Sequence, residues 1–280
     1  MLVLTGQAQL SKMMTQQNTT PFAWWLPVEL AEHQCWHVNI GPLSLYLSRQ
    51  PQQWLLAYEQ RSPTEHREQL SSAAALCIPP GLTAERYMFR QSPASFCLTP
   101  LLPDRPVVVK TLQPLHIPPG EQITLYISSP VTVRAALRQP DCPLQDIAVT
   151  RLSDTWFGPS TQLGELCYAD KTHARFSKDE LPKRPHRAIT PVKIHNSSRQ
   201  LLSLNKISIP VPYLAVYSSA DGNLWTDPIS LQHESTAGLT RFKTDQLSTI
   251  ELGSMTQLSP PRAVPDKHNL FRAFTHMFTD

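Results

Sequence analysis

Hydrophobic and polar positions alternate in short runs along most of this chain. Trp36, Val38 and Ile40 alternate with His37 and Asn39. After Gly41-Pro42, Leu43, Leu45 and Leu47 alternate with Ser44, Tyr46 and Ser48. Successive side chains on an extended chain point to opposite faces, so a period of two predicts strands with one buried face. The polar stretch Arg49-Gln50-Pro51-Gln52 leads into Trp54-Leu55-Leu56-Ala57-Tyr58, and the three runs together read as an antiparallel meander.

Further along, Ser62-Pro63-Thr64-Glu65 has the form of a capping box with proline at the first helical position, which predicts a helix to about Ala75. Ile78-Pro79-Pro80-Gly81 recurs as Ile117-Pro118-Pro119-Gly120, each copy followed by a strand-like run. Proline fixes φ and glycine accepts positive φ, so both copies predict turns that open strands. Val107-Val108-Val109-Lys110 is a further strand between them. Around 136–187 prolines and charges cluster and the alternation loosens, which reads as a connector. Beyond it, Val192 and Ile194, a polar tip at Asn196 to Gln200, and Leu202, Leu204, Ile207 and Ile209 read as a hairpin. Asp221-Gly222 between two short apolar runs is a turn signal, and Thr249 to Leu252 reads as one more strand.

The last residues follow a different period. Leu270, Phe271, Phe274, Met277 and Phe278 fall on one stripe of a short helix that Asp266 can cap. So short a helix is marginal alone in water and needs a surface, either its own sheets or a partner chain. The organisation expected is a flexible tail over 1–20, a first β domain over 21–135, a connector over 136–187, a second β domain over 188–258, and a linker with an amphipathic helix over 259–280. The fold class expected is mainly β, two sandwich or jelly-roll-like regions with few short helices.

Composition supports this picture. The 280 residues include 27 prolines and only 9 glycines, with 41% hydrophobic residues and 17% charged. That is too apolar for a disordered chain. Lys and Arg number 25 against 22 acidic residues, too weak an excess to argue for nucleic acid. The densest basic stretch, Lys171, Arg175, Lys178, Lys183, Arg184 and Arg187, reads as a solvated loop. Five cysteines without a C-x-x-C fit reduced thiols. The N-terminus lacks the apolar core of a signal peptide, and no window approaches a membrane span. The expectation is a soluble, cytoplasmic protein, in which the glycosylation-type triplet Asn196-Ser197-Ser198 carries no meaning.

Two constellations could carry chemistry. His33, Cys35 and His37 would share one face of a strand, and two imidazoles with a thiolate suit zinc. That face is opposite the apolar Trp36, Val38 and Ile40, so the competing reading is a polar, solvent-facing row. The second is the loop around Trp156, Phe157 and Gly158, closed by Gly164 and Tyr168, whose aromatic side chains could stack on a sugar or fill a partner's pocket. Its competing reading is a plug at the end of a sandwich. No G-x-S-x-G, Walker or H-E-x-x-H pattern occurs, so no cofactor is implied. Cys167, near Asp170 and His173, reads as a structural thiol.

Three stretches together carry a resemblance: Trp36-His37-Val38-Asn39-Ile40-Gly41-Pro42-Leu43; Thr155 to Pro159 with Gly164-Glu165-Leu166-Cys167-Tyr168; and Val192-Lys193-Ile194-His195-Asn196 leading to Ile209-Pro210-Val211-Pro212-Tyr213-Leu214. The chain resembles the prokaryotic family known as domain of unknown function 432, from about Phe22 to Leu252. The resemblance implies a β-rich cytoplasmic protein without assigned catalytic residues, and an accessory role beside a small mechanosensitive channel. The function expected is a non-catalytic protein that docks on partner chains or on itself. The alternatives are a sandwich binding a carbohydrate or small ligand through Trp156 and Phe157, and a metal-dependent jelly-roll enzyme using His33, Cys35 and His37.

Overall fold

The alternating runs of the first half are strands. After the two-residue β1 (Val28–Glu29) come β2 (Cys35–Ile40), β3 (Leu43–Gln50) and β4 (Gln53–Gln60), paired antiparallel as a meander. β5 (Leu70–Ala75) and β6 (Glu85–Met88) extend this meander sheet at its two edges, giving the order β5-β2-β3-β4-β6. The computed structural model describes residues 23–264 apart from 63–64, 66–68, 139–140, 159–163, 235–239 and 245–253. The expected N-terminal tail, the expected strand at 249–252 and the C-terminal stripe of Leu270, Phe271, Phe274, Met277 and Phe278 lie outside the described residues.

A four-stranded antiparallel sheet faces the meander: β1, β7 (Ser95–Leu101), β10 (Thr132–Leu137) and β11 (Cys142–Ala148), in that order. The two sheets meet through aromatic side chains. Trp36 and Trp54 both stand edge-on to Phe96, with ring centroids at 5.2 and 5.5 Å. The Trp54 indole N–H is satisfied by the Pro93 carbonyl at 3.0 Å, as a buried tryptophan requires. The β2–β3 turn is fixed by shape. Gly41 has φ +58°, and a Cβ there would sit 2.2 Å from Nδ1 of His186. His186 in turn accepts at its carbonyl from the Val131 N–H at 2.9 Å, which joins the turn to the start of β10.

The remaining strands form two more sheets. One has the order β12 (Ser153–Phe157), β13 (Glu165–His173), β8 (Val107–Ile117), β15 (Leu202–Ile209), with β13 and β8 parallel. The other is larger. Its path is β19 (Thr240–Thr244), β18 (Ile229–His233), β14 (Arg187–Asn196), β17 (Leu224–Thr226), β16 (Val216–Ser219), β20 (Met255–Ser259), and β9 (Gln122–Pro130) pairs β14. Inward residues of both sheets, among them Val107, Val109, Ile127, Val192, Ile194, Leu204 and Ile207, belong with the meander residues to one contiguous core cluster. Full burial of such a side chain stabilises by about 1.5–3 kcal/mol.

How the chain moves between these two sheets was not legible in the pattern. β14 and β15 do not pair with each other, as the hairpin expectation has it; β14 pairs β9 in the large sheet and β15 pairs β8 in the other. Two arches, β8–β9 and β14–β15, therefore stack strand on strand. Their corners are bonded together: the Gly120 N–H donates to Asn196 O at 2.8 Å, and the Asn196 N–H donates to Glu121 O at 3.0 Å. The Asn196 side-chain amide, fully buried, donates to Ile117 O and Gln200 O, each at 2.8 Å. A tight hairpin needs a two-residue turn; here a buried side chain organises a wider corner and sends the chain into the other sheet. Burial also places Asn196 out of reach of any modifying enzyme in the folded protein.

Two further expectations change. Residues 70–75 are a strand, not the end of a helix, and pair along β2 from Ile40↔Leu70 to Cys35↔Ala75. The helical preference of Ser-Ser-Ala-Ala-Ala amounts to tenths of a kcal/mol per residue, and the open edge of β2 offers a full ladder of hydrogen bonds instead. The stretch 136–187, expected as a connector, carries β11, β12 and β13. These strands are partly exposed and tolerate polar residues, which is why the alternation loosened. The Asp221-Gly222 turn joins β16 to β17 as expected, with Gly222 at φ +79°.

Candidate functional site

β12 is the edge strand of its sheet, and alternation along it splits the aromatic pair. Phe157 points to one face, where it is buried with Val108 and Cys167 in a small separate cluster. Trp156 points to the other face and is 47% exposed; directly opposite it on β13, Leu166 is 43% exposed. Gly164, just before β13, is set close against the indole. A Cβ on Gly164 would stand 2.3 Å from Nε1 of Trp156 and 2.7 Å from the Phe157 carbonyl. Gly158 has φ +144°, a conformation that other residues rarely adopt.

Tyr168 shares the Trp156 face, two cross-strand pairs further along, opposite Asp154. Its hydroxyl donates to Asp104 at 3.0 Å, and the Arg105 guanidinium lies 5.3 Å from its ring centroid while pairing with Asp154 at 3.0 Å. The surface is thus apolar at Trp156 and Leu166 and charge-paired from Tyr168 onward. Of the four residues singled out in this loop, the fold brings Trp156 and Tyr168 to one face and leaves Phe157 beneath the other.

The buried face holds two titratable groups that sequence reasoning did not join. Burial pushes the Glu165 carboxyl up to about 7, against a hydrogen bond from Cys167 that lowers it. Burial, and then the nearby Glu165 charge, push the Cys167 thiol up to about 12. A thiol so far from ionisation is inert as a nucleophile, in keeping with the structural reading of Cys167.

His33, Cys35 and His37 do not form a common row. β2 begins at Cys35, and His33 lies before it in an exposed turn with φ +65°, so strand alternation does not extend to it. Cys35 is buried, whereas His37 is half-buried. The His37 ring stacks on Tyr46 with centroids 4.2 Å apart, and its Nε2 lies 2.8 Å from the Ser44 hydroxyl. Burial, followed by the charge of Arg61, holds this imidazole below its ordinary value. Among the described residues no three His, Cys, Asp or Glu side chains converge as a metal-ligand set.

A second polar centre was missed. Arg187 on β14 and Asp170 on β13 form an ion pair in which each side chain is 7% exposed. Arg187 also donates through Nε to Ser128 Oγ at 2.7 Å, and through Nη2 to the Ser128 carbonyl. The signal available was the arginine itself, set at the start of an apolar strand.

Fold and sites define a β-rich protein, with four sheets among the described residues and an exposed aromatic edge. Among the described residues no helix is long and apolar enough to cross a membrane. The chain matches the family described as Protein of unknown function (DUF432) over residues 24–279, and it belongs to that family. No curated protein and no solved structure matches it.

Proposed function

We propose that this is a non-catalytic interaction protein, built from two face-packed β-sandwich regions, that self-associates through the Trp156–Leu166 edge. The observation that carries the reading is the exposure of these two large side chains, side by side across the edge strand β12 and its neighbour β13. An apolar pair of this kind on a sheet edge favours a protein partner. The occupant we assign is the segment 265–280 of a second copy, whose Leu270, Phe271, Phe274, Met277 and Phe278 form a matching apolar stripe.

What supports an occupant from this part of the chain is where its last described residues lie. The described chain ends at Val264, which is 91% exposed. The preceding Ala263 N–H donates to Pro212 O at 3.0 Å. Pro212 adjoins Tyr213, and Tyr213 lies close enough to Glu165, next to Leu166, for that carboxylate to help burial raise the phenol pKa. As a helix its residues would span about 24 Å, enough to lie along the edge. An accessory role in the cytoplasm beside a small mechanosensitive channel is a narrower form of the same reading, tested by co-purification with that channel.

Sedimentation of the full chain, of a chain truncated after Val264, and of Trp156→Ala with Leu166→Ala tests the proposal. The full chain is expected to assemble, and both altered chains to sediment as folded monomers. A monomeric full chain, or assemblies unchanged by the alterations, overturns it.

A further inference from the structure

The basic residues that read as a solvated loop converge in the fold. Lys178, Lys183, Arg184 and Arg187 line one cleft of about 470 Å³, against the carboxylates of Asp179 and Asp221. Trp225, itself almost wholly buried, and Ile189 also line it. The cleft lies on the large sheet, away from Trp156, and its argument is independent of the docking reading.

The two carboxylates do little to neutralise the cleft. Asp221 is committed to its own turn: it accepts from the Ser219 hydroxyl, from Asn223 Nδ2 at 2.5 Å and from the Asn223 N–H at 3.4 Å. Burial alone would raise its pKa, but these bonds and the charge of Lys183 outweigh burial and hold it low. Asp179 is exposed on the 178–180 turn, where solvent screens it.

Arg187 is fixed rather than free to collapse onto a neighbour. Ser128 and Asp170 engage its Nε and Nη2, and Asp170 is not on the cleft lining. The hydrogen bonds given to Arg187 by described residues leave from Nε and Nη2, and the residue lines the cleft. A guanidinium pre-oriented in this way suits the oxygens of a phosphate, and mobile lysines at the rim add charge without demanding one geometry. The volume is that of a small-ligand site.

We propose that this cleft binds the phosphate group of a small, soluble phosphorylated compound, with Arg187 Nη1 as the directional donor and Lys178 and Lys183 supplying the charge. Calorimetric titration of the full chain with pyrophosphate and with glucose 6-phosphate, at constant ionic strength, tests it. Saturable binding is expected, weakened at least tenfold in a Lys178→Glu, Lys183→Glu double variant. Both lysines are exposed, so the variant keeps its fold, and a Lys178→Gln, Lys183→Gln pair gives the same readout should the reversed charges disturb it. Parallel arms use phosphatidylcholine vesicles containing phosphatidylglycerol and a single-stranded oligonucleotide. No binding of either soluble phosphate, equal affinity in the variants, or binding confined to vesicles or to the oligonucleotide overturns the proposal.

Discussion

The meander sheet and the stacked arches are built from the same kind of strand, yet they are held together differently. In the meander, neighbours in the sheet are mostly neighbours in sequence, and tight turns set the register of β2, β3 and β4. In the arches, β8 meets β15 and β9 meets β14 across long stretches of chain, so nothing local specifies the pairing. What specifies it is buried polar chemistry: the Arg187–Asp170–Ser128 network and the Asn196 corner join strands from different parts of the sequence. The meander has buried polar groups too, among them Asn39, Ser44 and Ser48, but Asn39 and Ser44 bond to neighbours of the same sheet or its connections. Arg61 bonds Asn39 at 2.5 Å and Gln69 at 3.1 Å, and His37 stacks on Tyr46. Local connectivity makes specific polar bonds dispensable in one region, and distant connectivity makes them necessary in the other.

The sharpest way to break this contrast is Asp170→Ala. It leaves Arg187 as a buried charge without its counter-ion, and breaking a buried pair from one side costs about 3–5 kcal/mol. Because β13, β14 and β9 all meet at this pair, urea unfolding is expected to shift as a single transition, with the arches and the meander lost together. A variant as stable as the parent would mean that shape complementarity alone sets the arch pairing. Asn196→Ala comes next. It strands the carbonyls of Ile117 and Gln200 and the N–H of Ser198 at the corner, at about 2–3 kcal/mol. Asn196→Asp does not rescue it, since a carboxylate cannot donate to the two carbonyls.

This contrast also explains what could be read from the chain. Alternation at Trp36 to Ile40 and Leu43 to Leu47 named both the strands and their partners, because the turns between them are short. Both Pro-Pro-Gly copies open strands as read, with Gly81 at φ +101° and Gly120 at φ +78°. Alternation at Val192 to Ile209 named strands and then misled, because period two carries no record of which sheet a strand joins. The Ser-Pro-Thr-Glu pattern misled for a related reason: a free sheet edge outcompeted a local helical preference. At the candidate site, the pattern singled out Trp156 and Tyr168 but not which face each would occupy. Asp170 passed as a charge near Cys167 and Arg187 as the end of a solvated basic stretch, since only the fold brings them together.

The two regions are also expected to respond to acid in opposite senses. Glu165 stays neutral in the folded chain until about pH 7, whereas its unfolded value is near 4.5. The stability linked to it is therefore complete below about 4.5 and is lost as pH rises toward 7. Glu165→Gln is expected to gain about 1–2 kcal/mol over the parent at pH 8, allowing for the solvent around a half-buried group, and nothing at pH 4. His37 runs the other way. Its pKa is depressed by burial and by Arg61, so its contribution is present above the ordinary imidazole value and is lost as pH falls. His37→Gln removes that acid-side loss. Urea midpoints of both variants across this range check the two signs, and parallel slopes would mean that neither group is held as described.

The smallest effect belongs to the outer edge of the meander. Ser71 on β5 accepts from the Asn39 side-chain amide at 3.0 Å, and Ser71 is exposed while Asn39 is nearly buried. In Ser71→Ala, water can replace the lost hydroxyl on the open side, so the expected cost is about 0.5–1 kcal/mol. The informative reading is where this cost falls. Among the described residues β5 is an edge strand that pairs with β2 alone, so the change is expected to speed amide exchange across Leu70–Ala75 and to leave β3, β4 and the arches unaffected. Exchange that accelerates equally through β8, β9, β14 and β15 would show the two regions opening as one unit, and would erase the distinction between local and distant pairing from which the larger predictions start.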